Sequence, residues 1–558
     1  MNSGEYTQFR KNRALFVFNK NNKPTGNTTY DVVIGQKLGG SQVIVNSRVV
    51  EPSCCAPCIP PPVCISQDLV LRALQPMFDT FMVSNASPPQ VTRIFYLFFM
   101  SVMTAWNWIQ NGPLTGSKDS WSWNTRYILP AELHDAWMTQ ALSEITPVIL
   151  NMIPVPMGVT RPVFDPAALS SLERSLHGSS VATQDAEHAA AHAQGDFTEW
   201  RSEWTMWLAT RSADGSATAN GPAVGELFPN GATYLTVDIS HQNIAGFAHP
   251  TQWTPLTFTY NGSTKNQSYA GMHWDNVLST VTLTESAFDA TCDPLNPTTM
   301  ARADEVVLVK NILTTADLTE NDRRKVVAEF WAQGPGTISP PGFSIWLWKD
   351  YMETFRPDVQ TFFYSGIDMA ISQFEVARIT WREKLRFVQA RPIQEIRRLY
   401  SGPIVSWNGT IDASLWIPFQ EPSFVTPPFP DVPSGHSAFA QICANVMTKW
   451  FGANIPAGGV RTRSNMKWLA PSMPDTQTAA FGVYVFPATS SKIQATVPTN
   501  PVTLTYTTWQ ETADASGVSR QYGGVHCISA HTMSVAIANQ LSPILDSQWN
   551  LYNLRQQI

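Results

Sequence analysis

Residues 433–452 read PSGHSAFAQICANVMTKWFG, and this stretch decides the fold. Ser434 has the side chain of a helix N-cap, and the residues that follow form a helical run. The first backbone N–H groups of such a helix have no intrahelical partner, and the helix dipole makes this end positive. We therefore expect an oxyanion beside His436, where Gly435 lets a ligand approach the backbone closely. On its own, the segment would equally fit an ordinary capped helix with a surface histidine.

A second segment carries two cations. Lys384 and Arg391 lie seven residues apart, and seven helical steps of about 100° return to nearly the same face. A helical pattern from Asp358 to Pro392 predicts that both side chains project from adjacent turns of one helix. Taken alone, this segment is more typical of a solvated basic face.

A third segment places Arg520 and His526 on either side of the turn-forming pair Gly523 and Gly524. Together the three segments offer three fixed positive charges and two imidazoles, with no carboxylate in the motifs. Such a set would bind a tetrahedral oxyanion through charge-assisted hydrogen bonds, each worth roughly 1.5–3 kcal/mol.

The order KxxxxxxRP, PSGH, SRxxxxxH resembles that of the vanadium-dependent haloperoxidases and of the related type 2 phosphatidic acid phosphatases. The flanking segments AEFWAQGPGTISPPGFSIW and TPPFPDVPSGHSAF are similar to soluble haloperoxidases, and the similarity covers roughly residues 90–541. One departure concerns the family's HxxxD pattern, because the position four after His526 is Ala530. The loss of this aspartate would alter the support of the histidine. Glu375 stands where relatives often carry an aspartate, and it either orients an arginine or is a helix-surface glutamate.

The resemblance implies a mainly α-helical fold, a helical-bundle haloperoxidase-like core with small β-hairpin and loop insertions. Residues 1–66 are interpreted as a partly extended or irregular N-terminal extension with a cysteine cluster at 54–64, and residues 67–558 as the helical domain. Its active-site helices are expected at about 374–541, with an insertion at about 452–508. Residues 94–109 predict a buried core helix, since a membrane span needs about 20 apolar residues. Another helix is predicted from a cap at Thr319 to a stop at Gly334.

The resemblance also implies vanadate as the cofactor, and phosphate can occupy the same site instead. His526 would be the covalent ligand of the metal, and His436 the acid–base residue. Lys384 would polarise the peroxide once it is bound to the vanadium. The oxygens of the anion would be held by Lys384, Arg391, Ser434, the Gly435 N–H and Arg520.

Two aromatic residues permit an inference about the halide. Trp381 and Phe429 match positions that are aromatic in fungal-type chloroperoxidases. They would form an apolar pocket that desolvates the halide, although both could equally be ordinary core residues.

The function that the resemblance implies is oxidation of halide by hydrogen peroxide to hypohalous acid, with bromide and, as a weaker inference, chloride as substrate. One alternative is an acid phosphatase with His526 as nucleophile, and a second is a structural or assembly protein that keeps a relic of the site. Peroxide-dependent bromination and phosphate-ester hydrolysis would discriminate among the three.

Composition and charge limit the partners. A formal charge of −6 without a long basic block argues against general nucleic-acid binding, and no membrane span is expected. The resemblance implies hydrogen peroxide, halide and a small organic acceptor as partners, and a homo-oligomer. The N-terminus lacks the apolar core of a secretory signal, which favours a soluble and cytoplasmic protein and leaves the compartment open.

Overall fold

The computed structural model describes residues 66–111, 133–194, 197–216, 252–289 and 302–548, together with the backbone of short strands outside these ranges. The chain divides into two units, residues 1–63 and 64–558. The first unit contains two antiparallel strand pairs, β1 (Tyr6–Lys11) with β2 (Ala14–Asn19) and β3 (Thr29–Val33) with β4 (Asn46–Val50). The cysteine cluster of the predicted extension lies outside the described residues.

The second unit is mainly helical, which confirms the predicted fold class. In the described ranges its helices are α1 (Ser66–Val83), α2 (Pro88–Asn111), α3 (His134–Asn151), α4 (Pro166–His177), α5 (Val181–Gln194), α6 (Phe197–Ser212), α7 (Arg302–Asn311), α8 (Leu318–Phe330), α9 (Ser339–Phe355), α10 (Val359–Phe387), α11 (Pro392–Leu399), α12 (Gly435–Phe451), α13 (Trp509–Tyr522) and α14 (Ile528–Gln548). None of these helices has the length and apolar character that crossing a membrane requires.

The strands of this unit are short. Their bounds are β5 (Leu114–Thr115), β6 (Ser122–Trp123), β7 (Val237–Asp238), β8 (Leu256–Tyr260), β9 (Ser263–Asn266), β10 (Pro403–Ser406), β11 (Gly409–Asp412), β12 (Arg461–Arg463), β13 (Gln477–Ala479), β14 (Val483–Phe486) and β15 (Val502–Thr505). One sheet has three strands, in which β8 pairs with β7 in parallel and with β9 in antiparallel orientation. The remaining strands form antiparallel pairs, β5 with β6, β10 with β11, β12 with β13 and β14 with β15.

Helix α10 lies at the centre of the bundle, against α2 on one side and α12 on the other, and α12 also packs against α13 and α14. The ring of Tyr96 on α2 stacks on that of Phe374 on α10, with centroids 5.0 Å apart. The helices approach closely at Gly366, where a Cβ atom would lie 2.7 Å from the ring of Phe99. The apolar segment 94–109 is thus part of a buried core helix, as predicted.

Helix α8 begins two residues earlier than predicted from the sequence. Its N-cap is Asp317, whose Oδ1 accepts hydrogen bonds from the backbone N–H groups of Thr319 (3.0 Å) and Glu320 (3.1 Å). The prediction of Thr319 as the cap was wrong because the aspartate satisfies two of the free N–H groups of the first turn. The helix also ends at Phe330, before Gly334.

This assignment predicts unequal effects of two substitutions. We expect Asp317→Ala to lower the free energy of unfolding by about 1 kcal/mol, because it removes the cap. Thr319→Ala should change it by less than about 0.5 kcal/mol, because its side chain lies inside the first turn. Urea denaturation of both variants measures the difference, and equal losses would contradict the assignment.

The helix predicted from Asp358 to Pro392 ends at Phe387, and a second helix, α11, begins at Pro392. Helix α10 begins after its N-cap Asp358 and ends at Phe387, and Val388 follows with a left-handed φ of 46°. A residue before proline is disfavoured in helical conformation, and Arg391 accordingly has φ −78° and ψ 155° ahead of Pro392. Arg391 is therefore the N-cap residue of α11, and the prediction that it shares a helix face with Lys384 was wrong.

Candidate active site

The three segments singled out in the sequence meet at the ends of five helices. Lys384 lies in the last turn of α10, Arg391 precedes α11, and Ser434 caps α12. Arg520 is in the last turn of α13, and His526 precedes α14. The side chains of the three cations are completely buried. The tertiary structure thus places them within one region, although each comes from a different element.

The turn between α13 and α14 positions His526. Gly524 has a φ of 73°, a left-handed conformation that glycine adopts without strain. The chain then reverses, so that the N–H groups of Val525 and His526 both donate to the carbonyl of Arg520, at 3.0 and 3.3 Å. The short turn therefore fixes the histidine and the arginine relative to each other.

Lys384 is held by the segment that leads into α12. Its ammonium donates to the backbone carbonyls of Pro430 (2.7 Å), Asp431 (3.2 Å) and Pro433. An ammonium has three N–H donors, so these contacts use all of them. Burial and the neighbouring Arg391 guanidinium lower the pKa of Lys384 well below its ordinary value, against the opposing effect of Asp431.

The two arginines are incompletely paired. Arg391 donates from Nε to the carbonyl of Phe429 (2.8 Å) and from Nη1 to that of Val525 (2.6 Å), while its Nη2 has no hydrogen-bond partner among the described residues. Arg520 donates from Nη1 to the carbonyl of Trp331 (3.2 Å), and its Nε and Nη2 have no such partner in the described ranges. Burial lowers the pKa of Arg391 to about 10 and that of Arg520 to about 9.

These unpaired atoms fit an oxyanion. Buried N–H groups without acceptors cost free energy, more so on a charged group. A tetrahedral anion supplies several acceptor oxygens and the compensating charge, and guanidinium groups suit its geometry. The donor set of this site therefore fits vanadate or phosphate.

His436, in the first turn of α12, is adjacent to Arg520. Its Nε2 lies 3.0 Å from the carbonyl oxygen of Ala332, which also accepts from Arg520 Nη1 at 3.4 Å. Burial and the Arg520 guanidinium lower the pKa of His436 well below its ordinary value, so the imidazole is neutral. The ring is 7% exposed and lines a small cavity with room for about one water molecule. The alternative of a surface histidine is thereby wrong.

The predicted role of Ser434 as the N-cap of α12 is confirmed, because its side chain accepts a hydrogen bond from the N–H of Ser437. Gly435 is closely packed, since a Cβ atom at this position would lie 3.2 Å from the ring of Trp381. The start of α12 is thus fixed beside Trp381, and the free N–H groups of the helix lie at this same N-terminal end.

Trp381 and Phe429 lie next to the cations. Their ring centroids are 5.0 Å apart, and Lys384 Nζ lies 5.7 Å from the first ring and 5.0 Å from the second. The Arg391 guanidinium lies 5.1 Å from the Phe429 ring. Both rings are buried, so they form an apolar wall at the site.

Sequence reasoning missed one carboxylate, Asp431. Its Oδ1 lies 2.5 Å from Nδ1 of His526, and its Oδ2 accepts from Arg302 Nη2 at 2.7 Å. Burial alone would raise the pKa of Asp431, but the Arg302 guanidinium and the hydrogen bond with His526 outweigh burial and hold it well below its ordinary value. The only sign of Asp431 in the sequence was its position, five residues before His436. The surrounding segment, TPPFPDVPSGHSAF, was used only as evidence of the family resemblance.

Arg302 was also missed, because it lies in a segment that carries no motif.

Glu375 is buried, accepts hydrogen bonds from Thr280 and pairs with Arg378 at 3.0 Å. It therefore orients an arginine, although not one of the site, and the alternative of a helix-surface glutamate is wrong.

Comparisons with known proteins concern the sequence of one part of the chain and the fold. Residues 365–549 match the family described as the VCPO second helical-bundle domain, a range that contains every site residue predicted from the sequence. A holo-type bacterial vanadium-dependent chloroperoxidase has a similar structure, with a TM-score of 0.54 and 14% identity, over 87% of this chain and 98% of that one. Its apo-type counterpart gives a TM-score of 0.50 and 15% identity over 84% and 94% of the two chains. No curated protein matches the chain in sequence.

A bacterial vanadium-dependent iodoperoxidase is also similar in structure, with a TM-score of 0.54 and 16% identity, over 87% of this chain and 97% of that one. The fold is therefore that of the vanadium-dependent haloperoxidases. The resemblance found in the sequence is confirmed for the fold and, over residues 365–549, for the family of the second helical-bundle domain.

Proposed function

We propose that this protein is a vanadate-dependent haloperoxidase. It would convert halide, hydrogen peroxide and one proton into hypohalous acid and water. The observation that carries the proposal is a buried group of cations with unpaired N–H donors beside a histidine whose Nδ1 is held by a carboxylate. Such a site needs an anion with several oxygens and can offer one imidazole nitrogen as a ligand.

Each residue has a distinct proposed role toward the anion. His526 Nε2 would be the ligand, because Nδ1 is engaged with Asp431. Arg391 Nη2 and the Nε and Nη2 atoms of Arg520 have no other partner in the described ranges and would donate to oxygens. The Ser434 hydroxyl and the Gly435 N–H, at the start of α12, would donate as well. Lys384, whose three donors are used by carbonyls, would act through its charge. Bound vanadate supplies a Lewis acid that activates hydrogen peroxide without a change in oxidation state.

His436 would move the proton. Because its pKa is lowered, the imidazole is neutral and can accept a proton from hydrogen peroxide, then return it to the departing oxygen. The contact between Nε2 and the carbonyl of Ala332 holds the ring in place during both transfers. The cations around it are fixed before the reaction and stabilise negative charge as it shifts.

The test is reconstitution of the purified full-length protein with orthovanadate. Peroxide-dependent bromination of monochlorodimedone should appear with vanadate and be absent from the vanadate-free control. Hydrolysis of p-nitrophenyl phosphate, assayed in parallel, distinguishes the phosphatase alternative. Hydrolysis without bromination would overturn the proposal in favour of a phosphatase, and the absence of both activities would overturn it in favour of a relic site.

The aromatic wall predicts halide preference. We propose bromide and chloride as substrates, because an apolar surface removes water from the bound halide. Chloride is the harder of the two to dehydrate, so its oxidation depends more strongly on this surface. Phe429→His introduces a polar group, so the ratio of kcat/KM for chloride to that for bromide should fall about tenfold, or about 1.4 kcal/mol.

Phe429→Leu is the matched control, because it keeps the position apolar and should leave the ratio within about threefold of wild type. A ratio that is unchanged in Phe429→His would contradict the assignment of this wall to the halide. Turnover with bromide and never with chloride in wild type would remove chloride from the proposal.

A further inference from the structure

The contact between Asp431 and His526 has a chemical consequence. A carboxylate only accepts hydrogen bonds, so Nδ1 of His526 must carry the proton when it lies 2.5 Å from Asp431 Oδ1. The other nitrogen, Nε2, then keeps its lone pair. Arg391 Nη1 lies 3.0 Å from Nε2, so the lone pair faces the cationic side of the site.

We propose that Asp431, held by Arg302, is the positioning residue of His526 and takes over the task of the aspartate that Ala530 replaces. This inference rests on the proposed function, because positioning Nε2 matters only if that atom binds the anion. Partners of this kind fix the tautomer and ring orientation of a ligand histidine, and their loss typically costs 10–100-fold in affinity or activity.

The backbone and the side chain of Asp431 are both held in place. Its own backbone N–H donates to the carbonyl of Gln389 at 2.9 Å. Arg302 donates to it from Nη2, while Arg302 Nε is held by Glu395 at 2.8 Å and Nη2 also reaches the carbonyl of Ala390 at 2.9 Å. The carboxylate cannot turn away from His526 without breaking its ion pair with Arg302, so the imidazole is fixed before any anion arrives.

The helix that carries Arg302 also contacts α14, the helix that begins two residues after His526. Glu305, one turn along α7, accepts hydrogen bonds from the N–H (3.0 Å) and the hydroxyl (2.8 Å) of Ser529 in α14. Arg302 and His526 are therefore linked twice, once through Asp431 and once through the backbone of α14.

Position 530 lies beside the segment that carries Asp431. The N–H of Ser434 donates to the carbonyl of Ala530 at 2.9 Å, and Val432 packs with Ala530 and Met533 in a small buried cluster. A carboxylate at position 530 would therefore lie near the segment that carries Asp431 and, one helical turn after His526, near the same imidazole. This proximity supports the proposed exchange of the two positions.

The first test is Asp431→Asn, with orthovanadate binding measured by titration calorimetry on the full-length protein. The amide can hold the ring but does not require a proton on Nδ1, so we expect a 10–100-fold higher Kd. Nitrogen NMR of protein labelled with ¹⁵N-histidine, recorded without vanadate, should show a single Nδ1–H tautomer for His526 in wild type and a mixture in the variant.

The second test is rescue. Asp431→Ala should weaken orthovanadate binding at least as much as Asp431→Asn, and adding Ala530→Asp should recover at least tenfold of the loss. Recovery distinguishes positioning from a merely structural role, which a carboxylate on another element would not restore. A folded double variant that binds no better than Asp431→Ala would overturn the proposed exchange.

Asp350→Asn is the matched control, because Asp350 is an equally buried carboxylate paired with Arg461 and Arg463. It should lower stability and leave the Kd unchanged. An unchanged Kd in Asp431→Asn would overturn the inference while the proposed function stands. Wild type that binds no orthovanadate would overturn the proposed function, and the NMR measurement would then still decide whether Asp431 sets the tautomer.

Discussion

Replacing His526 with alanine is expected to abolish orthovanadate binding and peroxide-dependent bromination. The substitution removes the ring nitrogen that lies 3.0 Å from Arg391 Nη1, and we expect that His436 does not replace it, because its Nε2 is engaged with the carbonyl of Ala332. The loss should exceed about 100-fold in both Kd and kcat/KM, since it removes the ligand itself and not only the ligand's support. Calorimetric titration and the monochlorodimedone assay measure the two quantities separately.

His188→Ala controls for the loss of any partly buried, paired imidazole. His188 lies on α5, with Nε2 3.0 Å from Glu173, and belongs to no part of the site. Its replacement should leave the Kd and the bromination rate unchanged. Bromination that survives in His526→Ala would contradict the assigned ligand, even if wild type is a haloperoxidase.

Replacing Arg520 with methionine is expected to have opposite effects on stability and binding. The guanidinium is completely buried and two of its nitrogens lack partners among the described residues, so in the anion-free protein it costs free energy. Methionine has a similar length and no polar donors. We expect the variant without vanadate to be more stable than wild type by about 1–3 kcal/mol, with a higher Tm.

The same change should weaken orthovanadate binding at least tenfold, because it removes two proposed donors and a positive charge. Wild type should gain stability from the anion, about 2.7 kcal/mol when the free anion is at 100 times Kd, and the variant should gain far less at that concentration. Differential scanning calorimetry with and without orthovanadate tests both halves of the prediction.

Arg463→Met is the control for this experiment. Arg463 is also buried, but its Nε donates to both oxygens of Asp350. Removing it leaves a buried carboxylate with fewer partners, so stability should fall and the response to vanadate should persist. If Arg520→Met instead destabilised the anion-free protein as Arg463→Met does, Arg520 would be a structural ion-pairing residue, not part of an anion site.

The motifs located the candidate site, although the predicted helical geometry of one motif was wrong. Lys384 and Arg391 do meet, but not because they share a helix face. Pro392 prevents helical conformation at Arg391, and the side chain arrives from the start of a second helix. Helical periodicity could not reveal this, since the spacing of seven fits one helix equally well.

The support of His526 was beyond sequence reasoning. Asp431 lies 95 residues before the histidine along the chain, and Arg302 lies 129 residues before Asp431. The family pattern directs attention to the position four after the histidine, which holds Ala530. Only packing of the segment before α12 against the start of α14 brings the carboxylate to the ring.

The sequence by itself determined the mainly helical fold, the cap of α12 and the residues that carry charge and imidazole, because these depend on local patterns and short spacings. Only the tertiary structure decided which N–H groups remain unpaired and which carboxylate holds His526. Those properties depend on contacts between segments that are distant along the chain. Burial there gives each unpaired donor a cost in free energy, and this cost indicates that a ligand is needed as its acceptor.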